Sequence, residues 1–102
     1  MSLDPERITI QDLEINLKTR SVTRAGEPIR LTVKEYDLLL HLAKHQGAVL
    51  PRLDILKAVW GQTWVGDDNL LDVYIRYLRK KIDLPESPPL IRTVRGVGFL
   101  IE

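Results

Sequence analysis

Apolar positions recur along this chain in two periods, and the change from one to the other divides it. Near the N-terminus apolar and polar residues alternate. Ile8-Thr9-Ile10, Leu13-Glu14-Ile15-Asn16-Leu17 and Ser21-Val22-Thr23 each give one face to a core and the other to water, which predicts half-buried strands. Ala25-Gly26-Glu27-Pro28 predicts the next turn, and Ile29-Arg30-Leu31 returns as the fourth strand of an antiparallel sheet. Helical spacing begins after it. Thr32-Val33-Lys34-Glu35 reads as a capping box, in which the threonine oxygen accepts an amide at the helix start and Glu35 reaches back to the Thr32 amide. Tyr36, Leu39, Leu40 and Ala43 follow on one face, Leu38 and Leu42 widen it, and Gly47 predicts its end. Pro51 suits the first turn of a second helix with Leu53, Leu56 and Trp60 as core residues, Ile55 and Val59 alongside, and Gly61 as its stop.

The third helix has the cleanest pattern. Asp67 or Asp68 caps it, and Leu71, Ile75, Leu78 and Ile82 fall at i, i+4, i+7 and i+11 as one buried stripe. The opposite face holds Asn69, Val73, Arg76, Tyr77 and Lys80. Pro85, Pro88 and Pro89 stop any further helix, and Ile91 to Phe99 predicts a hairpin with Arg95 near its tip and glycines at Gly96 and Gly98 for the tight turn. The order is sheet, three helices, hairpin: an α+β fold with no internal repeat. Residues 7–102 form one domain in this reading, and 1–6 a disordered linker or cloning remnant.

Composition narrows the chemistry. A chain of 102 residues with 44% apolar and 28% charged residues builds a core without staples. Cysteine is absent, which excludes disulfides, zinc–thiolate sites and cysteine nucleophiles. Apolar runs such as Leu38-Leu39-Leu40 are far too short to span a bilayer, and Met1-Ser2-Leu3-Asp4-Pro5 lacks the basic start and apolar stretch of a signal peptide. A cytoplasmic location away from membranes is the expectation. The net charge of +1 conceals an asymmetry, because Asn69 to Gly98 carries six basic residues against three acidic ones while Met1 to Asp68 carries nine against ten.

Reading sequence through the major groove of DNA requires donors and methyl-sized apolar groups displayed together on a rigid rod. The outward face of the third helix has both. Arg76 and Lys80 stand one turn apart, Asn69 sits at the start, and Val73 between them suits a thymine methyl. Tyr74 and Tyr77 offer hydroxyls to phosphates or bases, and Arg79 flanks the groove. Asp72 is repelled by phosphate and is expected to orient Arg76, four residues on. An arginine on a glycine finger, as at Arg95-Gly96, suits the narrow, negative minor groove, with Arg92 and Thr93 behind it on the hairpin.

Other chemistries find less support. His41 and His45 are spaced as a metal pair, but no third ligand is suggested and surface positions explain them. Gly96-Val97-Gly98 is followed by no helix, so it is no nucleotide fingerprint. Neither metal, cofactor nor enzymatic activity is expected. The main alternative is a domain whose chief partner is a protein, with Trp64 beside Val65 as the anchor.

Leu31-Thr32, Glu35-Tyr36, Leu38-Leu39, Leu50, Leu53, Leu56, Val59-Trp60-Gly61, the run Leu71 to Lys81 and the run Ile91 to Phe99 together resemble the OmpR/PhoB-type winged-helix effector domain of two-component response regulators. The likeness runs from about Arg7 to the end. It implies a winged helix-turn-helix with a four-stranded N-terminal sheet, three helices and a C-terminal β-hairpin wing. It also implies that helix 69–82 enters the major groove and Arg95 the minor groove of double-stranded DNA, at tandem half-sites, in regulation of transcription. Gln62-Thr63-Trp64-Val65-Gly66-Asp67 then becomes the loop that contacts RNA polymerase, and a receiver domain of the same full-length protein becomes a partner. Three positions depart from the family pattern: tyrosine at 77 and asparagine at 69, where basic residues are common, and phenylalanine at 99, where tyrosine is usual.

Overall fold

The computed structural model describes residues 6–102. Four strands lead, β1 (Arg7–Ile10), β2 (Leu13–Asn16), β3 (Ser21–Arg24) and β4 (Glu27–Ile29), paired antiparallel in sequence order. Alternation places Ile10, Leu13, Ile15 and Val22 in the core. The fourth strand begins at Glu27, two residues before the expected Ile29. The turn needs only Ala25 and Gly26, both at positive φ (52° and 81°), so Arg24 faces Glu27 directly. Two such residues give the turn whose twist matches that of the strands it joins. Pro28 is tolerated because β4 is an edge strand. Of the leading segment set apart in the sequence, residues 1–5 lie outside the described residues, and the Glu6 carbonyl accepts a bond from the Leu17 amide at 2.6 Å.

Helix α1 (Val33–Lys44) opens with the predicted capping box: Glu35 N–H donates to the Thr32 hydroxyl oxygen, and Thr32 N–H donates to the Glu35 carboxylate at 2.9 Å. It lies at the centre, touching β1 and both later helices. In α2 (Arg52–Trp60) the buried residues are Ile55, Leu56 and Val59, and Leu53 is 51% exposed instead of in the core. The reason is phase. At ~100° per residue Leu53 points about 115° away from the centre of the Ile55–Leu56–Val59 face. Leu40 is likewise only half-buried, beside a fully buried Leu39.

Helix α3 (Asn69–Ile82) buries Leu71, Ile75, Leu78 and Ile82 and leaves Arg76, Tyr77 and Lys80 exposed, as its stripe predicts. The C-terminal element holds one strand more than a hairpin. A two-residue strand, β5 (Leu50–Pro51), lies between α1 and α2 and joins β6 (Ile91–Val94) and β7 (Gly98–Ile101) in an antiparallel sheet ordered β5-β7-β6. The wing turn is Arg95-Gly96-Val97, closed by Val97 N–H donating to the Val94 carbonyl at 3.0 Å, with Gly96 at φ 76°. Gly98 has a different task from the one its sequence suggests. It lies within β7 opposite Pro51, where a Cβ would fall 1.8 Å from the Leu50 carbonyl oxygen.

Among the described residues two charged side chains are buried, Arg24 (2% exposed) and Glu35 (3%), and both serve the C-terminal turn of α3. Arg24 donates from Nη1 to the Ile82 carbonyl at 2.7 Å and from Nε to Asp12, satisfying a carbonyl the helix itself leaves open. Lys81 donates to Glu35 at 2.6 Å. Burial pushes the Glu35 pKa up, but the bonds from Lys81 and Thr32 outweigh it and the net shift is downward. A carboxylate lowered in the folded state adds stability above its unfolded pKa and loses it as pH falls through the folded value. The melting temperature should therefore fall as pH drops below the ordinary glutamate value of 4.5, and fall less steeply in Glu35→Gln. An identical acid slope in that variant would assign the effect to other carboxylates.

Candidate nucleic-acid interface

The outward face of α3, the start of α2 and the wing enclose an open groove of about 740 Å³. Ile75 and Phe99 line it, and Arg76, Lys80, Arg79 and Thr93 stand around it. Asn69, at its far end, is exposed, and its backbone amide and side-chain amide both donate to the Asp67 carboxylate, at 2.9 and 3.2 Å. Asp67 thus performs the capping that the sequence left open between two aspartates, and Asp68 makes no side-chain cap bond.

Val73 and Tyr74 are half-buried. Tyr74 meets Trp60 edge-on at 5.1 Å between ring centroids, and Tyr77, 47% exposed, meets Tyr74 at 6.1 Å. An aromatic ladder from α2 thus sets the direction of the outermost ring, Tyr77. Edge-to-face pairs at these separations are favourable beyond the area they bury.

Asp72 does not orient Arg76. It accepts two bonds from Arg52, at 2.8 and 2.9 Å, and Arg52 also donates to the Asp68 carbonyl at 3.0 Å. The fork of a guanidinium matches a carboxylate across two helices better than an arginine one turn away on the same helix. Bonding from Arg52, against the opposing effect of desolvation, holds the Asp72 pKa below the usual carboxylate range, and the Arg76 charge adds a smaller pull. The acid therefore stays ionised but paired, and contributes little repulsion toward phosphate. Arg52 is the residue of the candidate interface that the sequence reading missed. Its signal was a cation in the first turn of a helix, at the positive end of the dipole, where it needs an acidic partner.

On the wing, Arg95 and Gly96 are exposed at the turn. Arg92 is exposed and pairs with Glu102 at 2.6 Å. Thr93 is exposed, but its hydroxyl oxygen accepts from Arg79 Nη2 at 2.9 Å, and the same nitrogen donates to the Ile91 carbonyl at 2.9 Å. Arg79 is thus turned toward the wing. In the loop before α3, Gln62, Thr63, Gly66 and Asp67 are exposed, Trp64 is half-buried against the core, and Val65 is 92% exposed. Among the described residues no three His, Asp or Glu side chains are grouped to hold a metal ion. His41 and His45 have ring centroids 4.8 Å apart, with His45 Nδ1 against the His41 carbonyl. No helix of the described residues is long and apolar enough to cross a membrane.

Comparison with known proteins agrees with this geometry. The family model "Transcriptional regulatory protein, C terminal" matches residues 26–101. The chain is 50% identical over 95 residues to the uncharacterized transcriptional regulatory protein YkoG of Bacillus subtilis, covering 93% of this chain and 42% of that protein. It is 47% identical over 93 residues to the transcriptional regulatory protein CusR of Escherichia coli, covering 91% of this chain and 41% of the relative. It thus spans about two-fifths of the length of these relatives. Among solved structures, the DNA-binding domain of Klebsiella pneumoniae RstA, in complex with the RstA box, superposes with a TM-score of 0.84 at 37% identity, over 94% of this chain and 96% of that one. DrrB of Thermotoga maritima, an OmpR/PhoB homolog, superposes with a TM-score of 0.83 at 32% identity, over 94% of this chain and 44% of that one. With its meander, three helices and wing, the chain belongs to the winged-helix domains of the OmpR/PhoB family of transcriptional regulators.

Proposed function

We propose that this domain binds double-stranded DNA sequence-specifically and regulates transcription in the bacterial cytoplasm, as the effector domain of a two-component response regulator. One observation carries the reading: the exposed basic face of α3 lies beside a wing that holds an exposed arginine at its turn. Asn69, Val73, Arg76, Tyr77 and Lys80 are the residues for the major groove, and Arg95 with Gly96 for the minor groove. Tyr74 supports Tyr77, and Arg92 and Thr93 flank the phosphate backbone. The RstA domain, solved with its DNA box, supports the same use of a similar fold. Because the chain matches only two-fifths of its relatives, a receiver domain in the full-length protein is the natural partner. The loop from Gln62 to Asp67 is proposed as a contact for RNA polymerase, since Val65 stands almost fully in solvent with Trp64 seated beneath it. No catalytic role is assigned to any residue.

Selection of DNA sites from a random pool by this domain tests the reading. The expected product is two tandem half-sites about one helical turn apart. Strict palindromes, or no enrichment at all, would sink it. In the selected sites, Arg76→Ala or Tyr77→Ala should change the preferred bases, each contact discriminating by ~1–3 kcal/mol. Arg95→Ala should instead weaken binding and relax the preference for A·T-rich flanks, because a minor-groove arginine responds mainly to groove width.

A further inference from the structure

We propose that Arg79 is a positioning residue that fixes the wing at a set angle to α3, so that the wing probes DNA only at a fixed distance from the bases the helix reads. The proposal rests on the DNA-binding reading above and goes beyond it. Arg79 belongs to the basic set of α3, yet one edge of its guanidinium is committed inside the domain. Both donors of Nη2 are used, one on the Ile91 carbonyl and one on the Thr93 hydroxyl, both at 2.9 Å and both on β6. Its Nε is buried without a hydrogen-bond partner, so it is Nη2 that holds the side chain in place. Its guanidinium lies 5.9 Å from the centroid of Phe99 on β7, within the range of a cation–π contact. One side chain of α3 therefore grips both strands of the wing.

Arg52 completes the device from the opposite side. Its guanidinium lies 5.8 Å from the same Phe99 ring and forks onto Asp72 of α3, while its backbone N–H donates to the Val97 carbonyl in the wing turn at 3.1 Å. Fixed planar forks hold direction as well as distance, which a single ammonium does not. The wing is thus tied to the recognition helix at two points, and Arg95 projects from a framed turn instead of a loose one.

Two variants separate this from the simpler idea that Arg79 neutralises a phosphate. Arg79→Lys keeps the charge but loses the fork. With the selected site carrying A·T or G·C flanks, it should lose the flank preference as Arg95→Ala does, while the preference for the core bases and the salt dependence stay unchanged. Arg79→Gln should show the same pattern. If Arg79 met a phosphate instead, Arg79→Lys would keep the flank preference and Arg79→Gln would make the log–log salt slope shallower by about 0.9. Either result overturns the proposal. Backbone order parameters of Arg95 to Val97 in the free domain give a readout that needs no DNA. They should fall in Arg79→Lys from a rigid ~0.85 toward about 0.6. Unchanged values would also overturn it. Were the wild type to show no flank preference, the minor-groove assignment of the wing would fail, and the order parameters alone would decide whether Arg79 holds it.

Discussion

Gly98→Ala should destabilise the domain by about 3 kcal/mol or more, one of the largest effects expected of a single added methyl group here. The new Cβ would lie 1.8 Å from the Leu50 carbonyl oxygen, 2.9 Å from the Leu50 carbonyl carbon and 3.1 Å from the Arg52 amide nitrogen. All three are backbone atoms, so no side chain can rotate away. β5 must leave β7, which also breaks the bond from Arg52 N–H to the Val97 carbonyl. For a domain of this size the melting temperature should drop by at least ~12 °C, at roughly 4 °C or more per kcal/mol. Gly96→Ala is the control. It meets no atom within 4 Å and suffers only from its φ of +76°, a penalty of about 1–2 kcal/mol. Equal melting temperatures for the two variants would show that β5 yields easily, and the close approach would lose its importance.

Affinity for the selected DNA site should fall about 150-fold between ~50 mM and ~200 mM salt. The figure follows from counting the cations that meet the DNA, at a phosphate or in a groove, since each displaces condensed counterions. Arg76, Lys80 and Arg95 are exposed on the interface, and Arg92 is held only by a surface pair with Glu102, a kind of bridge worth little in water and readily exchanged for a phosphate. Four contacts at about 0.9 each give a slope near −3.6, and fluorescence anisotropy over a salt series measures it. A slope near about −4.5 would add a fifth cation to the set, and a slope restored to about −3.6 in Arg79→Gln would identify it as Arg79. A flat response would favour a protein partner over DNA.

What could be read in the sequence was whatever repeats within one element. The stripe Leu71, Ile75, Leu78, Ile82 and the Thr32–Glu35 capping box are local, and both stand in the structure as their spacing requires. Most of the departures involve a partner elsewhere in the chain. β5 has two residues, too few to show a period, and exists only because Phe99 lies across from Leu50. Gly98 resembles a turn glycine until that strand is placed beside it. Asp72 was matched to an arginine on its own helix because i,i+4 rules see nothing else, whereas its partner is twenty residues away on α2. Leu53 shows the remaining kind of error. In a nine-residue helix where apolar residues surround the axis, the buried face is chosen by packing, not by periodicity. The exposed face proposed to meet DNA was legible for the same reason as the stripe, since it is the complement of the buried one. Arg79 and Arg52 were not, because their roles lie in contacts between elements.

The middle strand of the wing sheet is also the last to be made. A ribosome delivers Leu50 early and its partner Phe99 only after 49 further residues, and β6 pairs with that same late strand. At ~5–20 residues per second this wait lasts roughly 2–10 seconds, whereas a hairpin closes in about 1–10 µs. The N-terminal meander, whose strands are neighbours in the chain, is complete long before translation reaches β7. The nascent domain thus acquires its scaffold first and its wing last. Until residues 98–101 emerge, Arg95 sits on unanchored chain, so a ribosome-bound fragment cannot engage DNA with the geometry of the finished domain.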